Sequence, residues 1–380
     1  MLNSLNIKNF RSLEDFQVTK LGRVNLIVGK NNSGKSSVLE ALRIYAGNAN
    51  QALLEKIAQG HDERCFLNKN LYEGLDASLP YEDLFTHRAF PEVENPIVIG
   101  EFESASALKI YHAYTVEKDS VVTDEEGNKE TIKRPMTITK IELTTFNKVL
   151  SEGLLIKKNA DTTTIDFNVV SADFRRYVTV GNPMPCSFIP TQLVAMNELA
   201  NDWDSIALTE AEEIVKEAMK IILPEFENLT FVNDFSYSES KAVRRVAKVK
   251  ITGISRPVPL NSLGDGMLRI LQLVLKLFSA KGGFLLIDEF ENGLHYSVQE
   301  KVWSLLFELS LKLDIQIFAT THSWDCIESF AKVAMAKKDI DSVLFRVGKS
   351  VRTSDKGRVI STVFDQEQLY SITQSDVEVR

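Results

Sequence analysis

The sequence predicts an α/β protein with a mixed, mainly parallel sheet core, an antiparallel β lobe and a helical insertion. Three observations lead there. From Leu268 onward, apolar helices and short apolar strands alternate as parallel α/β units. Near the start, the buried strand Arg23–Val28 (RVNLIV) runs into a glycine-bearing loop and then a helix. Between these parts, residues 97–180 read as successive strands with turn-forming breaks.

With 380 residues, 44% hydrophobic and 25% charged, the chain has the composition of a globular protein, and we read residues 1–380 as one domain. Residues 1–50 and 231–380 carry the core, and 51–230 an inserted β-rich and helical lobe. No window approaches the roughly 18 consecutive apolar residues of a membrane span. The N-terminal stretch also lacks a signal-peptide core, so a cytoplasmic protein with no membrane partner is expected. A net charge of −8 excludes a uniformly basic nucleic-acid footprint. Cys65, Cys186 and Cys326 show no metal-ligand spacing and read as reduced structural thiols.

In chain order, residues 5–9 and 17–21 read as strands around a turn, and the strand at 23–28 follows. Residues 35–47 then form a helix with Val38, Leu42 and Tyr45 on one face and Gly47 as its C-cap. Residues 50–96 are irregular and partly helical, with a turn at 76–80. Strands are expected at 97–102, 107–118, 136–143 and 167–180, with a turn at 124–130. An amphipathic helix spans 207–222, apolar at Ile214, Val215, Met219 and Ile222. A hairpin over 228–254 precedes the alternating C-terminal part. No internal repeat or heptad run appears, so no coiled-coil arm is expected.

Gly29-Lys-Asn31-Asn32-Ser33-Gly34-Lys35-Ser36, followed by Ser37, matches the GxxxxGK[ST] phosphate loop in the strand-loop-helix context that the motif needs. Its glycines let backbone N–H groups and the helix N-terminus turn toward phosphate oxygens. Lys35 suits the β- and γ-phosphates of ATP, and the Ser36 hydroxyl suits Mg²⁺. The apolar run Phe284–Ile287 ends in Asp288-Glu289, at the end of a strand where α/β sheets bind ligands. Asp288 suits Mg²⁺ and Glu289 suits polarising a water. One strand later, the run from Phe318 ends in Thr321-His322, whose imidazole suits the γ-phosphate, although a single histidine there also fits a structural role. Ser262-Leu-Gly264-Asp-Gly266 opens a helix and has an anion-binding shape, or is an ordinary helix cap.

The order of these motifs resembles the ABC-class ATPases of the OLD and SMC families. About 250 residues separate Lys35 from Asp288, with the SLGDG turn just before the carboxylates. The phrases NFRSLEDF, NNSGKSS, DEFENGLH and ATTHSWDCIE look like the AAA-domain proteins of the OLD-type group, many encoded in bacterial anti-phage operons, PARIS-like systems among them. The resemblance implies an ABC-type P-loop ATPase head. It implies that Ser262, Gly264 and Gly266 bind the γ-phosphate held by a second copy, so that hydrolysis needs a homodimer or a higher even-numbered homo-oligomer. Glu289 would be the catalytic base, His322 the switch histidine, and Glu291–His295 the D-loop. Gln192 is the candidate for the Q-loop, which coordinates Mg²⁺, or else a plain polar residue at a helix start. Arg11 is a candidate nucleotide contact, or is simply solvated.

OLD-type nucleases carry a C-terminal TOPRIM domain, and the residues after His322 are too few for one. The expected role is therefore a nucleotide-driven switch controlling a separate TOPRIM-like effector. The alternative is a DNA-binding repair or chromosome-maintenance clamp, motivated by the basic run 241–250, in which alternation puts several charges on one strand face unless they are merely solvated. A small-molecule kinase leaves the SLGDG turn and the Asp-Glu-His arrangement unexplained.

Overall fold

The computed structural model describes residues 1–63, 80–123, 129–146, 148–167, 181–234, 244–366 and 368–369. Cys65, the turn at 76–80 apart from Pro80, most of the turn at 124–130, the strand at 167–180 apart from Phe167, Lys241 and the closing EVR lie outside the described residues.

The chain starts with an antiparallel pair, β1 (Leu5–Phe10) and β2 (Leu13–Val18), and then enters β3 (Val24–Val28). The second strand begins earlier than the sequence suggests. Phe10 pairs with Leu13, so only Arg11 and Ser12 form the turn, and Leu13, Phe16 and Val18 are buried. Helices α1 (Lys35–Ala46) and α2 (Gln51–Gly60) follow. Next come β4 (Ile97–Gly100), β5 (Leu108–Thr123), β6 (Lys129–Thr139), β7 (Val149–Lys158) and β8 (Asp161–Asp166). Together with β1 and β2 these strands make a seven-stranded antiparallel sheet in the order β2-β1-β4-β5-β7-β8, with β6 also on β5.

Strand β9 (Cys186–Ile189) leads to helices α3 (Met196–Ile206) and α4 (Glu210–Lys220). The helix expected over 207–222 is thus shorter, because the Thr209 hydroxyl caps it by accepting from the Ala211 N–H. A three-stranded antiparallel sheet, β10 (Phe226–Asp234), β11 (Arg244–Ile251) and β12 (Val258–Pro259), precedes α5 (Asp265–Ser279). The remaining elements are β13 (Phe284–Ile287), α6 (Tyr296–Lys312), β14 (Gln316–Thr321), α7 (Trp324–Ala336), β15 (Ser342–Lys349) and β16 (Val359–Phe364).

The six-stranded core sheet has the order β16-β15-β3-β14-β13-β9, parallel throughout except for the β15–β16 pair. Its strands are apolar on both faces, as a covered parallel sheet requires. One face carries Leu26, Leu285, Ile287 and Ile317 into a core shared with α3 to α7. The other carries Ile27, Phe284, Leu286 and Phe318 into a core shared with α1 and the seven-stranded sheet. The fold is thus a layered α/β arrangement, with the helix that follows the Gly29–Ser36 loop held between the two sheets.

The sheets cross the residue boundaries read at 50 and 230. β1 and β4 pair within one sheet, and β9 is the edge strand of the core, so residues 51–230 are woven into both layers. Alternation hid this, because a four-residue strand such as CSFI carries too little pattern to be assigned to a particular sheet.

Candidate nucleotide-binding site

Parallel register brings the motifs together. Val28 lies opposite Thr321, and Ile287 lies between Ala319 and Ile189. The chain leaves these four neighbouring strands as Gly29, His322, Asp288 and Pro190, all at the C-terminal edge of the sheet, where α/β folds bind ligands.

The loop from Gly29 to Ser36 turns on Asn32 (φ 60°) and Gly34 (φ 104°). A side chain at Gly29 would place its Cβ 2.3 Å from the Val347 carbonyl oxygen, so only glycine fits there. Helix α1 has no side-chain cap and no acidic residue in its first turn, which leaves its leading N–H groups and positive dipole end to an anion. The Ser33 hydroxyl is buried without a hydrogen-bond partner among the described residues. A phosphate group would satisfy both.

Lys35 Nζ donates to the carbonyls of Gly29 at 2.7 Å and Lys30 at 3.0 Å. Burial lowers its pKa, against the opposing pull of Asp288, Glu289 and Glu291. Asn31, Asn32 and Ser36 are exposed, and Ser37 is half-buried.

The carboxylates are held by groups that the sequence reading passed over. Asp288 accepts from the Thr320 hydroxyl at 2.7 Å and from the Thr191 hydroxyl at 3.2 Å. The same Thr320 oxygen accepts the Glu289 N–H at 2.9 Å. Glu289 sits at φ 48°, left-handed backbone that costs a non-glycine residue about 1–3 kcal/mol and persists only where its surroundings over-determine it. Arg269 of α5 supplies part of that restraint. Its guanidinium donates to the carbonyls of Pro190 (3.0 Å), Asp288 (2.9 Å) and Glu289 (2.7 Å), and the residue is only 2% exposed. Burial pushes its pKa down to about 10, with Asp288, Glu291 and Glu289 opposing. A lone arginine within the apolar helix LRILQLVLKLF was the available signal.

His322 Nδ1 lies 3.1 Å from Glu291 Oε1 and 3.6 Å from Glu289 Oε1, and the ring is half exposed. Gln192 is exposed, three residues beyond the end of β9 and four before α3, so it is not at a helix start. The neighbouring Thr191 bonds Asp288 directly, and its carbonyl accepts from Asn292 at 2.5 Å.

Ser262 and Gly264 lie on an exposed turn before α5, and the Ser262 hydroxyl donates to the Pro259 carbonyl at 2.7 Å. Gly264 has φ 90° and open space where a side chain would stand. Gly266 packs against the Gly293 carbonyl of the D-loop segment, so this turn neighbours 291–295 rather than the loop 29–36.

Arg11 is not solvated. Its guanidinium is buried between Glu40 of α1 (2.9 Å) and Glu63 (2.8 Å). The basic strand is largely neutralised too, since Arg245 pairs with Asp204 and Lys250 with Glu227 at 2.6 Å. Cys186 and Cys326 are free thiols, and burial pushes the Cys186 thiol up to about 12. Among the described residues no group of His, Cys, Asp and Glu is arranged to hold a metal by itself, and no helix is long and apolar enough to cross a membrane.

Residues 24–325 match the family model described as "AAA domain, putative AbiEii toxin, Type IV TA system". The chain belongs to this family. As a member it is an ATPase of the P-loop class, and the match spans the phosphate loop, the carboxylate pair and the histidine. The chain is also 23% identical to an ATP/GTP phosphatase of Helicobacter pylori, over 89% of each protein. A shorter likeness, 47% over 45 residues, links it to an uncharacterized protein of Methanocaldococcus jannaschii, covering 12% of this chain and 20% of that one. Solved structures similar to this family member include an SMC head bound to the winged-helix domain of ScpA (TM-score 0.47, 13% identity, 98% of this chain and 99% of that one). Another is the SMC head domain from Thermotoga maritima (TM-score 0.40, 15% identity, 96% and 98%).

Proposed function

We propose that the chain binds Mg-ATP on the loop Gly29–Ser36 and hydrolyses it in a head-to-tail homodimer or a higher even-numbered homo-oligomer. The observation that carries this reading is the convergence of an anion-ready loop, with its unpartnered Ser33 hydroxyl, and the Asp288, Glu289 and His322 side chains on adjacent strand ends. In this reading Lys35 leaves the Gly29 and Lys30 carbonyls to pair with the β- and γ-phosphates. Main-chain N–H groups from Asn31 to Ser37 wrap the phosphate chain. Glu289 orients and deprotonates the attacking water, and His322 contacts the γ-phosphate. Mg²⁺ supplies charge neutralisation on the phosphates, and Ser36, Asp288 and Gln192 would hold it. Asp288 could hold the ion while keeping its bonds from Thr320 and Thr191, since each carboxylate oxygen has lone pairs to spare.

Composite sites are supported by Ser262 and Gly264, which are exposed, and by Gly266, half-buried against Gly293 of the D-loop. There they suit the γ-phosphate of a second copy. Because ATP would contact two chains only in the closed dimer, it would favour that state over the open one by the extra contacts. The output is a switch acting on a separate effector, a TOPRIM-like nuclease in an anti-phage system. The family description, which names a toxin–antitoxin system, supports a two-protein arrangement.

Titration with a fluorescent ATP analogue tests the ligand. Lys35→Ala is expected to abolish binding while the protein stays folded by circular dichroism. A folded Lys35→Ala protein with wild-type affinity refutes the reading.

A further inference from the structure

Glu291 has no part in the reaction outlined above, yet it makes two polar contacts to His322. Its Oε1 accepts the His322 backbone N–H at 3.0 Å and lies 3.1 Å from the ring Nδ1. Its side chain is only 12% exposed, against 50% for His322 and 35% for Glu289. Its Oε2 is buried without a partner among the described residues. A well-buried carboxylate oxygen thus meets His322 at two points, its backbone N–H and its half-exposed ring. We propose that Glu291 is the positioning residue for His322, fixing its ring orientation and tautomer. The proposal rests on the hydrolytic reading above for its consequence, but not for its geometry.

An ionised carboxylate only accepts hydrogen bonds, so a hydrogen bond across the 3.1 Å separation would put the ring hydrogen on Nδ1. Glu291 therefore assigns the proton to Nδ1 and makes Nε2 the nitrogen that addresses the phosphate. With Nδ1 on a carboxylate, Nε2 gains or gives up a proton while the ring stays in place, as with histidines oriented by carboxylates elsewhere. The same arrangement spares Glu289. Its Oε1 is 3.6 Å from Nδ1, beyond a hydrogen bond, so the proposed base is not consumed in holding the ring. Phe290 donates its backbone N–H to the Thr320 carbonyl at 2.9 Å, which ties the Glu291 segment to the strand carrying His322.

Four full-length proteins test this: wild type, Glu291→Gln, Glu291→Ala and His322→Gln. The readouts are the nitrogen-15 signature of the His322 tautomer, assigned by its loss in His322→Gln, and kcat and KM for ATP. Wild type is expected to show the Nδ1–H tautomer. Glu291→Ala should lose it and lower kcat about 10- to 100-fold with KM little changed. Glu291→Gln, whose amide oxygen still accepts from Nδ1, should keep the tautomer and recover part of kcat. A His322 tautomer unaltered in Glu291→Ala overturns the proposal whatever the activity, and a lost tautomer with wild-type kcat overturns its catalytic consequence. If His322→Gln itself hydrolyses ATP at the wild-type rate, the hydrolytic role given to His322 fails, and the tautomer still decides what Glu291 does to the ring.

Discussion

Arg11 shows how a residue legible by type is decided by its neighbours. From the turn after β1 it reaches Glu40 on the phosphate-loop helix and Glu63 beyond α2, and Glu63 also receives Arg88 at 2.8 Å. His61 joins the cluster through Glu40, and that hydrogen bond raises the imidazole pKa above its ordinary 6.5. A raised folded-state pKa means that the stabilisation is complete below pH 6.5 and disappears as pH rises through the folded value. The stability gap between wild type and His61→Gln, from urea midpoints, is therefore expected to be larger below pH 6.5 and to close as pH rises through the folded-state value. A gap that stays constant with pH removes the His61–Glu40 interaction from the account. None of this was legible in the sequence, because Arg11, Glu40 and Glu63 meet only through tertiary structure.

At the scale of elements, α5 does more than bury an apolar stripe. Arg269, Gln272 and Lys276 follow one another along a buried seam at helical spacing. Lys276 pairs with Glu198 and with Asp202 (2.8 Å) of α3, while Arg269 takes three carbonyls at the ends of β9 and β13. The helix that opens with the Ser262 turn is thereby fixed to the backbone carrying Asp288 and Glu289. Arg269→Met, similar in length but without donors, should destabilise the protein by roughly 2–4 kcal/mol, since three carbonyls lose their partner. Urea unfolding measures this, and wild-type stability in the mutant contradicts the assignment.

The strands around the motifs were legible because FLLI and VNLIV are short, near-continuous apolar runs buried on both faces, and the helices because their apolar residues recur at helical spacing. Helix α3 was missed although Leu199, Ala200, Trp203 and Ile206 give it a buried face. Strands β7, β8 and β16 were missed as well, their residues alternating too weakly to stand out from loops. The motif residues at the site were legible because phosphate chemistry restricts residue type. Thr191, Thr320, Arg269 and Glu291 were not, since their importance lies in hydrogen bonds that carry no local signature.

For the whole molecule, the decisive feature is the separation of two half-sites. The loop 29–36 and the carboxylates share one edge of the core sheet, whereas the Ser262–Gly266 turn is exposed and packed on the D-loop side. Under the proposed composite-site reading, a monomer would offer half of what hydrolysis requires. Removing the base should let ATP close the dimer without resetting it. Light scattering of Glu289→Gln with and without Mg-ATP tests this central claim most directly. The account predicts a nucleotide-dependent species of twice the ATP-free mass. A mass unaffected by ATP, together with wild-type turnover strictly linear in protein concentration, would contradict it.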